Sequence, residues 1–233
     1  MLIEAFSEAL RLITSANPDL YEILWLSVKV SLTALLSASI LALPLGTMLA
    51  ISEFKGKHAI VTFFTAMMGL PPVVVGLFVY LMLSRSGPLG VLELLYTPTA
   101  MIIAQCILIV PIVTSLTYQI IEELNREYRE LFFSLRINTR RSIFAYLWDA
   151  RFSLLTTVLA GFGRAISEVG AVMIVGGNIN HLTRIMTTAI ALETSKGDLA
   201  LALALGIVLL TIALVVNAFV MIVKTFAMDK GYV

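Results

Sequence analysis

The sequence predicts an all-α membrane protein: five transmembrane helices, an outer N-terminal amphipathic helix, and short cytoplasmic helices between the third and fourth spans. Three observations lead there. Of 233 residues, 59% are apolar and 13% charged, roughly half the charged share of an average soluble domain. The stretches 30–52, 58–84, 94–121 and 199–223 contain no Asp, Glu, Lys or Arg, and each exceeds the ~20 helical residues that a hydrocarbon core requires. A fifth stretch, 152–176, is interrupted only by Arg164 and Glu168.

The chain divides into an outer interfacial segment (1–19), a transmembrane domain (20–226) and a cytoplasmic tail (227–233). In the first segment Leu2, Ile3, Phe6, Leu10 and Ile13 recur at helical spacing between Glu4, Glu8 and Arg11. Such a helix lies flat in the interface or packs on a partner subunit. Asn17-Pro18-Asp19 separates it from the first span. That span is too long for a signal-peptide core and reaches Leu43-Pro44-Leu45-Gly46 without a cleavage site, so it reads as a retained helix. The five spans are placed at about 21–51, 59–84, 98–121, 152–176 and 199–223.

Orientation follows from the basic residues. Lys55, Lys57, Arg126, Arg129, Arg136, Arg140, Arg141, Arg151, Lys224 and Lys230 fall on one side; Arg11, Arg85, Arg184 and Lys196 fall on the other. The first side is therefore cytoplasmic, and the N-terminus is outside. Pro44, the pair Pro71-Pro72, and Pro111 lie inside apolar segments, where each proline removes a donor and frees a carbonyl. Freed groups in lipid need protein or water as partners. One kink is ordinary in a bundle; three broken spans fit a protein whose centre is a pathway or a moving gate.

Several function classes drop out. A net charge of +1 offers no basic face for nucleic acid. The single Cys106, with His58 and His181 far apart and read as solvated loop residues, supports neither a disulfide framework nor a metal centre. No G-x-x-x-x-G-K followed by Ser or Thr occurs, so any nucleotide must be bound by another chain.

The segment 122–151 carries six arginines among apolar residues. Leu131, Phe132, Leu135, Phe144, Tyr146, Leu147 and Trp148 offer one side; Arg129, Glu130, Arg136, Arg140 and Arg141 offer the other. With a turn at Asn138-Thr139, the pattern predicts two short helices beside the membrane. They either rest on the membrane surface or dock a partner, and exposed aromatics such as Phe132 and Phe133 mixed with arginine favour docking.

Within the fourth span, Arg164 and Glu168 stand four residues apart on one helical face and can pair. Gly163, Ser167 and Ala171 form a small-residue stripe that admits a neighbouring helix. Lys29 lies at a depth similar to that of Glu168, roughly 12–14 Å at a helical rise of 1.5 Å, so those two are a further candidate pair. Two readings of Lys29, Arg164, Ser167 and Glu168 stay open: a salt bridge bracing the bundle, or a cation lowering the barrier to a passing anion.

The loop positions Glu130-Leu131-Phe132, Arg136 and Tyr146-Leu147-Trp148-Asp149 resemble the cytoplasmic loop pattern of permease subunits of ABC-type importers. Gly69-Leu70-Pro71-Pro72-Val73-Val74-Val75-Gly76-Leu77 with Ser84-Arg85-Ser86-Gly87-Pro88-Leu89-Gly90, and Gly161 through Ala171, are similar to the second and fourth core spans of the oxyanion permeases for molybdate and tungstate. Thr183-Arg184 and Glu193 through Asp198 look closer to the tungstate branch. The resemblance runs from about Ser27 to the last span.

The resemblance implies a type I ABC importer transmembrane domain over 20–226, working as a homodimer in a prokaryotic plasma membrane. Two cytoplasmic ATPase subunits would dock on the coupling loop at Arg129, Glu130, Leu131, Phe132, Ser134, Leu135, Arg136 and Asn138. An extracytoplasmic oxyanion-binding protein would deliver tungstate, or alternatively molybdate or sulfate. ATP and Mg would be held by the ATPase, with no cofactor on this chain and no enzymatic activity of its own. Pro71, Pro72 and Pro111 would serve as gate or kink residues. The Gly176-Gly177 amides and the Ser167, Thr187 and Thr188 hydroxyls are candidate weak oxyanion contacts. A membrane-embedded enzyme using Arg164 and Glu168 lacks a nucleophile with a nearby base; a secondary transporter would be expected to show an internal repeat.

Overall fold

The computed structural model describes residues 2–15, 18–136 and 138–229, leaving aside the side chains of 2–5, 133, 139, 140 and 227–229. All regular structure among the described residues is helical. Helices run α1 (Leu2–Thr14), α2 (Pro18–Ile51), α3 (Lys57–Met67), α4 (Pro72–Leu83), α5 (Pro98–Ser134), α6 (Thr139–Asp149), α7 (Arg151–Ile166), α8 (Gly170–Gly176), α9 (Met186–Lys196) and α10 (Leu199–Asp229). A single 3-10 turn covers Gly90–Leu92.

Helices α2, α5 and α10 are each long and apolar enough to cross a membrane. Two further pairs reach that length and composition only together: α3 with α4, bent by 101°, and α6 with α7, bent by 81°. Pro44 in α2 and Pro111 in α5 are absorbed without ending the helix. Pro71-Pro72 behaves otherwise. Pro71 is extended (φ −65°, ψ 123°) and Pro72 opens α4. The first proline disfavours helix at Leu70, while the second sits where a missing N–H breaks no helical bond.

The chain forms two compact units: Met1–Ala34 with Pro71–Gln105 and Gly163–Val215, and Leu35–Leu70 with Cys106–Phe162 and Val216–Val233. In the first, α4 lies against α8 so closely that a Cβ on Gly76 would stand 2.8 Å from the Ala171 Cα. In the second, Leu49, Ala50, Tyr118, Ile121, Tyr146, Ala150 and Leu154 form a buried cluster. Lys57, also buried, donates to the Ala50 carbonyl at 3.0 Å, capping the end of α2, and lies 5.6 Å from the Tyr118 ring centre.

Two sequence expectations need correction. Helix α5 continues through 122–134, so the first of the two short helices expected in 122–151 is not separate; only α6 is. The reason is composition, since Glu, Leu, Arg and Asn125 through Ser134 contain no Gly or Pro to stop it. The span placed at 152–176 is interrupted between Ile166 and Gly170, whereas the one placed at 59–84 breaks at Pro71-Pro72, where a broken span was expected. Helix α9 was not anticipated. The helix of the first segment is present as α1, with Phe6 and Leu10 exposed and Ala9 buried; Asn17 of its predicted break, and 230–233 of the tail, lie outside the described residues.

Candidate functional site

The interruption between α7 and α8 is built from ordinary helix chemistry. The Ser167 hydroxyl donates to its own i−4 carbonyl on Gly163 at 2.7 Å, a local bond that competes with the helical ladder. Val169 and Gly170 follow, and both lower helix propensity. The carbonyls released at the break then find partners far away in sequence. Gln105 Nε2, on α5, donates to Ala165 O at 3.0 Å. The Thr187 hydroxyl, on α9, donates to Glu168 O at 2.8 Å.

Glu168 faces inward, its side chain 3% exposed. Its Oε1 accepts from the Ala171 N–H at 3.1 Å, and its Oε2 stands 3.6 Å from Arg164 Nη2. A buried carboxylate requires such partners. The Arg164 contact is longer than a hydrogen bond and its side chain is 30% exposed, so the guanidinium retains donors for another group. Lys29 does not join them: it is exposed on α2, and the described partners of Glu168 are Arg164 and Ala171.

The breaks before α4 and before α8 meet. A Cβ on Gly170 would lie 2.9 Å from Val73 Cγ2, so the first turn of α4, opened by Pro71-Pro72, sits on the first turn of α8. The stripe expected from Gly163, Ser167 and Ala171 is divided by the break. Ala171 packs on Gly76, Ser167 is exposed, and the Gly163 position is open. Pro111 belongs to the other unit, where the Thr114, Ser115 and Thr117 hydroxyls after it are buried with no hydrogen-bond partner among the described residues.

The candidate oxyanion hydroxyls have already spent their protons. Ser167 donates to Gly163 O, Thr187 to Glu168 O, and Thr188 to Ile185 O at 3.1 Å. A hydroxyl used this way offers an anion only lone pairs. His181, exposed as expected of a loop residue, is paired all the same: its Nδ1 lies 2.7 Å from Glu22 Oε2. That hydrogen bond, reinforced by the carboxylate charges of Glu22 and Asp19 and opposed by Arg184, raises the imidazole pKa above its usual value.

In the second unit, the end of α5 and α6 form a hairpin with an aromatic interior. Tyr146 is buried, with its ring 4.9 Å from Phe132 and 6.3 Å from Tyr128, and its hydroxyl donates to Asn125 Oδ1 at 2.7 Å. Outside this core Leu131, Leu135, Phe144 and Trp148 are 52%, 61%, 70% and 63% exposed. Arg129, Glu130, Ser134, Arg136 and Asn138 are exposed too, Arg129 pairing with Glu53 at 3.5 Å. Tyr146, expected on the docking side, is instead what holds the hairpin together. Asn138 accepts the first backbone bond of α6 through its carbonyl, from Ser142 at 3.0 Å; the side chains of Phe133, Thr139 and Arg140 lie outside the described residues. Arg151 folds over Trp148 and Phe152, 4.9 and 4.5 Å from their ring centres.

Sequence reasoning missed Gln105, the brace role of Thr187, and Lys57. Gln105 had a visible signal: an amide between Ala104 and Cys106 in a charge-free run is costly facing lipid and implies a bundle-internal partner.

These features define a polytopic helical membrane protein with two helix breaks packed together and a hairpin carrying an exposed apolar face. The chain belongs to the family of binding-protein-dependent transport system inner membrane components, which it matches over residues 42–225. It is 43% identical over 219 residues to a tungstate uptake system permease protein, TupB, of Peptoclostridium acidaminophilum, covering 94% of this chain and 96% of that one. A probable anion ABC transporter permease protein of Haloferax volcanii is 41% identical, with coverage of 82% and 85%. The TupB protein of Campylobacter jejuni is 41% identical, with coverage of 71% and 69%.

Proposed function

We propose that this chain is the membrane-spanning permease subunit of an ATP-driven importer for an oxyanion, and that the oxyanion is tungstate. The observation carrying this reading is the 43% identity to a tungstate uptake permease along nearly the full length of both chains. The three continuous helices, α3 with α4, and α7 with α8 are read as five spans, with the N-terminus outside on the basic-residue count. The chain works as a homodimer in a prokaryotic plasma membrane, the inner membrane where there are two. ATP and Mg are bound by separate ATPase subunits, and an extracytoplasmic protein captures the substrate.

The geometry supports a division of labour. The exposed Leu131, Leu135, Phe144 and Trp148, ringed by Arg129, Glu130 and Arg136, are the ATPase-docking face; the Tyr128–Phe132–Tyr146 core keeps that face rigid enough to be pushed. Helix α5, unbroken from Pro98 to Ser134, carries the displacement. The breaks at Pro71-Pro72 and at 167–169 are where a span can swing without tearing a helical ladder. Along the path a dianion meets the loosely held Arg164 guanidinium and hydroxyls whose protons are taken, so it is held weakly and released quickly. The test is reconstitution of the chain with its ATPase and binding protein in proteoliposomes. ATP-dependent accumulation of tungstate, with weak competition by molybdate and sulfate, is expected; accumulation by this chain alone would refute the reading.

A further inference from the structure

We propose that Gln105 is a positioning residue for transport: a half-engaged latch on the break between α7 and α8. The inference rests on the importer reading and goes beyond it. Gln105 is 1% exposed. Its Nε2 is committed to Ala165 O at 3.0 Å, while its Oε1, equally buried, has no hydrogen-bond partner among the described residues. An amide kept solely to brace a static structure would be a poor choice, because its unpaired carbonyl carries a full desolvation penalty that an apolar side chain avoids. The arrangement makes sense where the break has a second position.

The surroundings agree. Ala165 O, one residue before α7 ends, is reached by the Glu168 N–H at only 3.4 Å, so Gln105 supplies the stronger of its two bonds. The next bonds along the break, Thr187 to Glu168 O and Ala171 N–H to Glu168 Oε1, hold the start of α8 to α9 and to the buried carboxylate. Gln105 is thus the tie on the α7 side of the break, and Thr187 the tie on the α8 side. Arg164 and Glu168 sit one residue before Ala165 and three after it, so whatever holds Ala165 sets how these two charges face the path. When the break moves, the empty Oε1 accepts a main-chain N–H released there, and the latch trades one bond for another.

The test uses Gln105→Leu and Gln105→Met, which keep volume and remove both amide groups. Hydrogen exchange of the 163–173 amides is read in the full chain in lipid nanodiscs. Tungstate uptake is read in the complete transporter as a function of binding-protein-delivered substrate and of ATP hydrolysed. The expected result is exchange at least fivefold faster over 163–173 with α10 unchanged. Maximal uptake falls at least fivefold, the half-saturating concentration holds, and more ATP is hydrolysed per ion moved. Gln105→Met carries the test if the leucine variant fails to accumulate in membranes. Unchanged exchange in both variants overturns the latch, as does a shift in half-saturation with maximal uptake intact. Because exchange is read without substrate, fast-exchanging variants of a wild-type chain that moves no oxyanion would support the latch and overturn the importer reading alone.

Discussion

The same substitution, glycine to alanine, should have opposite effects at Gly76 and Gly163. At Gly76 the new Cβ would stand 2.8 Å from the Ala171 Cα and 3.1 Å from its carbonyl oxygen, where carbon atoms prefer about 3.5–4.0 Å. Both obstacles are main chain, so no side chain can rotate away and α4 must retreat from α8 by about 1 Å to restore an ordinary contact. Overpacking of this kind costs about 1–3 kcal/mol. At Gly163 the added Cβ meets nothing within 4 Å and lies inside α7, where replacing glycine by alanine favours the helix by about 0.5–1 kcal/mol. Thermal unfolding of the purified chain in detergent measures both, with Gly76→Ala lowering the midpoint and Gly163→Ala holding or raising it. Equal midpoints for the two variants, or a harmless Gly76→Ala, would mean that α4 and α8 do not approach at Ala171, and the account of paired breaks would fail with it.

The remaining predictions concern the hairpin, the α2 cap and the loop around His181. Tyr146→Phe removes the hydroxyl bonded to Asn125 and should lower stability by about 1 kcal/mol. Phe144→Ala, on an exposed side chain, should leave unfolding unchanged yet weaken ATPase capture in a pull-down from detergent. Lys57→Met leaves the Ala50 carbonyl unpaired, and unfolding should detect a loss of about 1.5–3 kcal/mol, the range for a hydrogen bond to a charged group. Because the folded-state pKa of His181 is raised by Glu22, its bridge is fully present below the unfolded value near 6.5 and is lost as pH rises through the folded value. Hydrogen exchange of the 177–185 amides, corrected for intrinsic rates, should therefore show more protection at pH 6 than at pH 8, and His181→Gln should abolish the difference.

What could be read along the chain differs in kind from what could not. The runs around Val30, Thr65 and Ile109 announced themselves because hydropathy is a local sum, and Pro71-Pro72 announced a break because proline acts on its own backbone. The end of α7 was harder. Arg164 and Glu168 looked like two turns of one helix, yet Ser167, Val169 and Gly170 together outweigh the apolar pattern that suggested continuity. Tyr146 was placed on the docking face by its neighbours Leu147 and Trp148; that it is buried depends on Tyr128 and Phe132, brought beside it by an α5 that continues further than its apolar run.

By itself, then, the sequence determined that this chain lives in a membrane and which family it resembles, since each of those depends on residue type at short range. Only the tertiary structure decided how the interrupted spans are held. The Ala165 carbonyl is taken by Gln105, 60 residues away, and Glu22 is paired with His181 across 159. A broken helix leaves polar backbone groups that an apolar interior cannot hydrate. Which distant side chain satisfies them is settled by packing, and no local pattern encodes it.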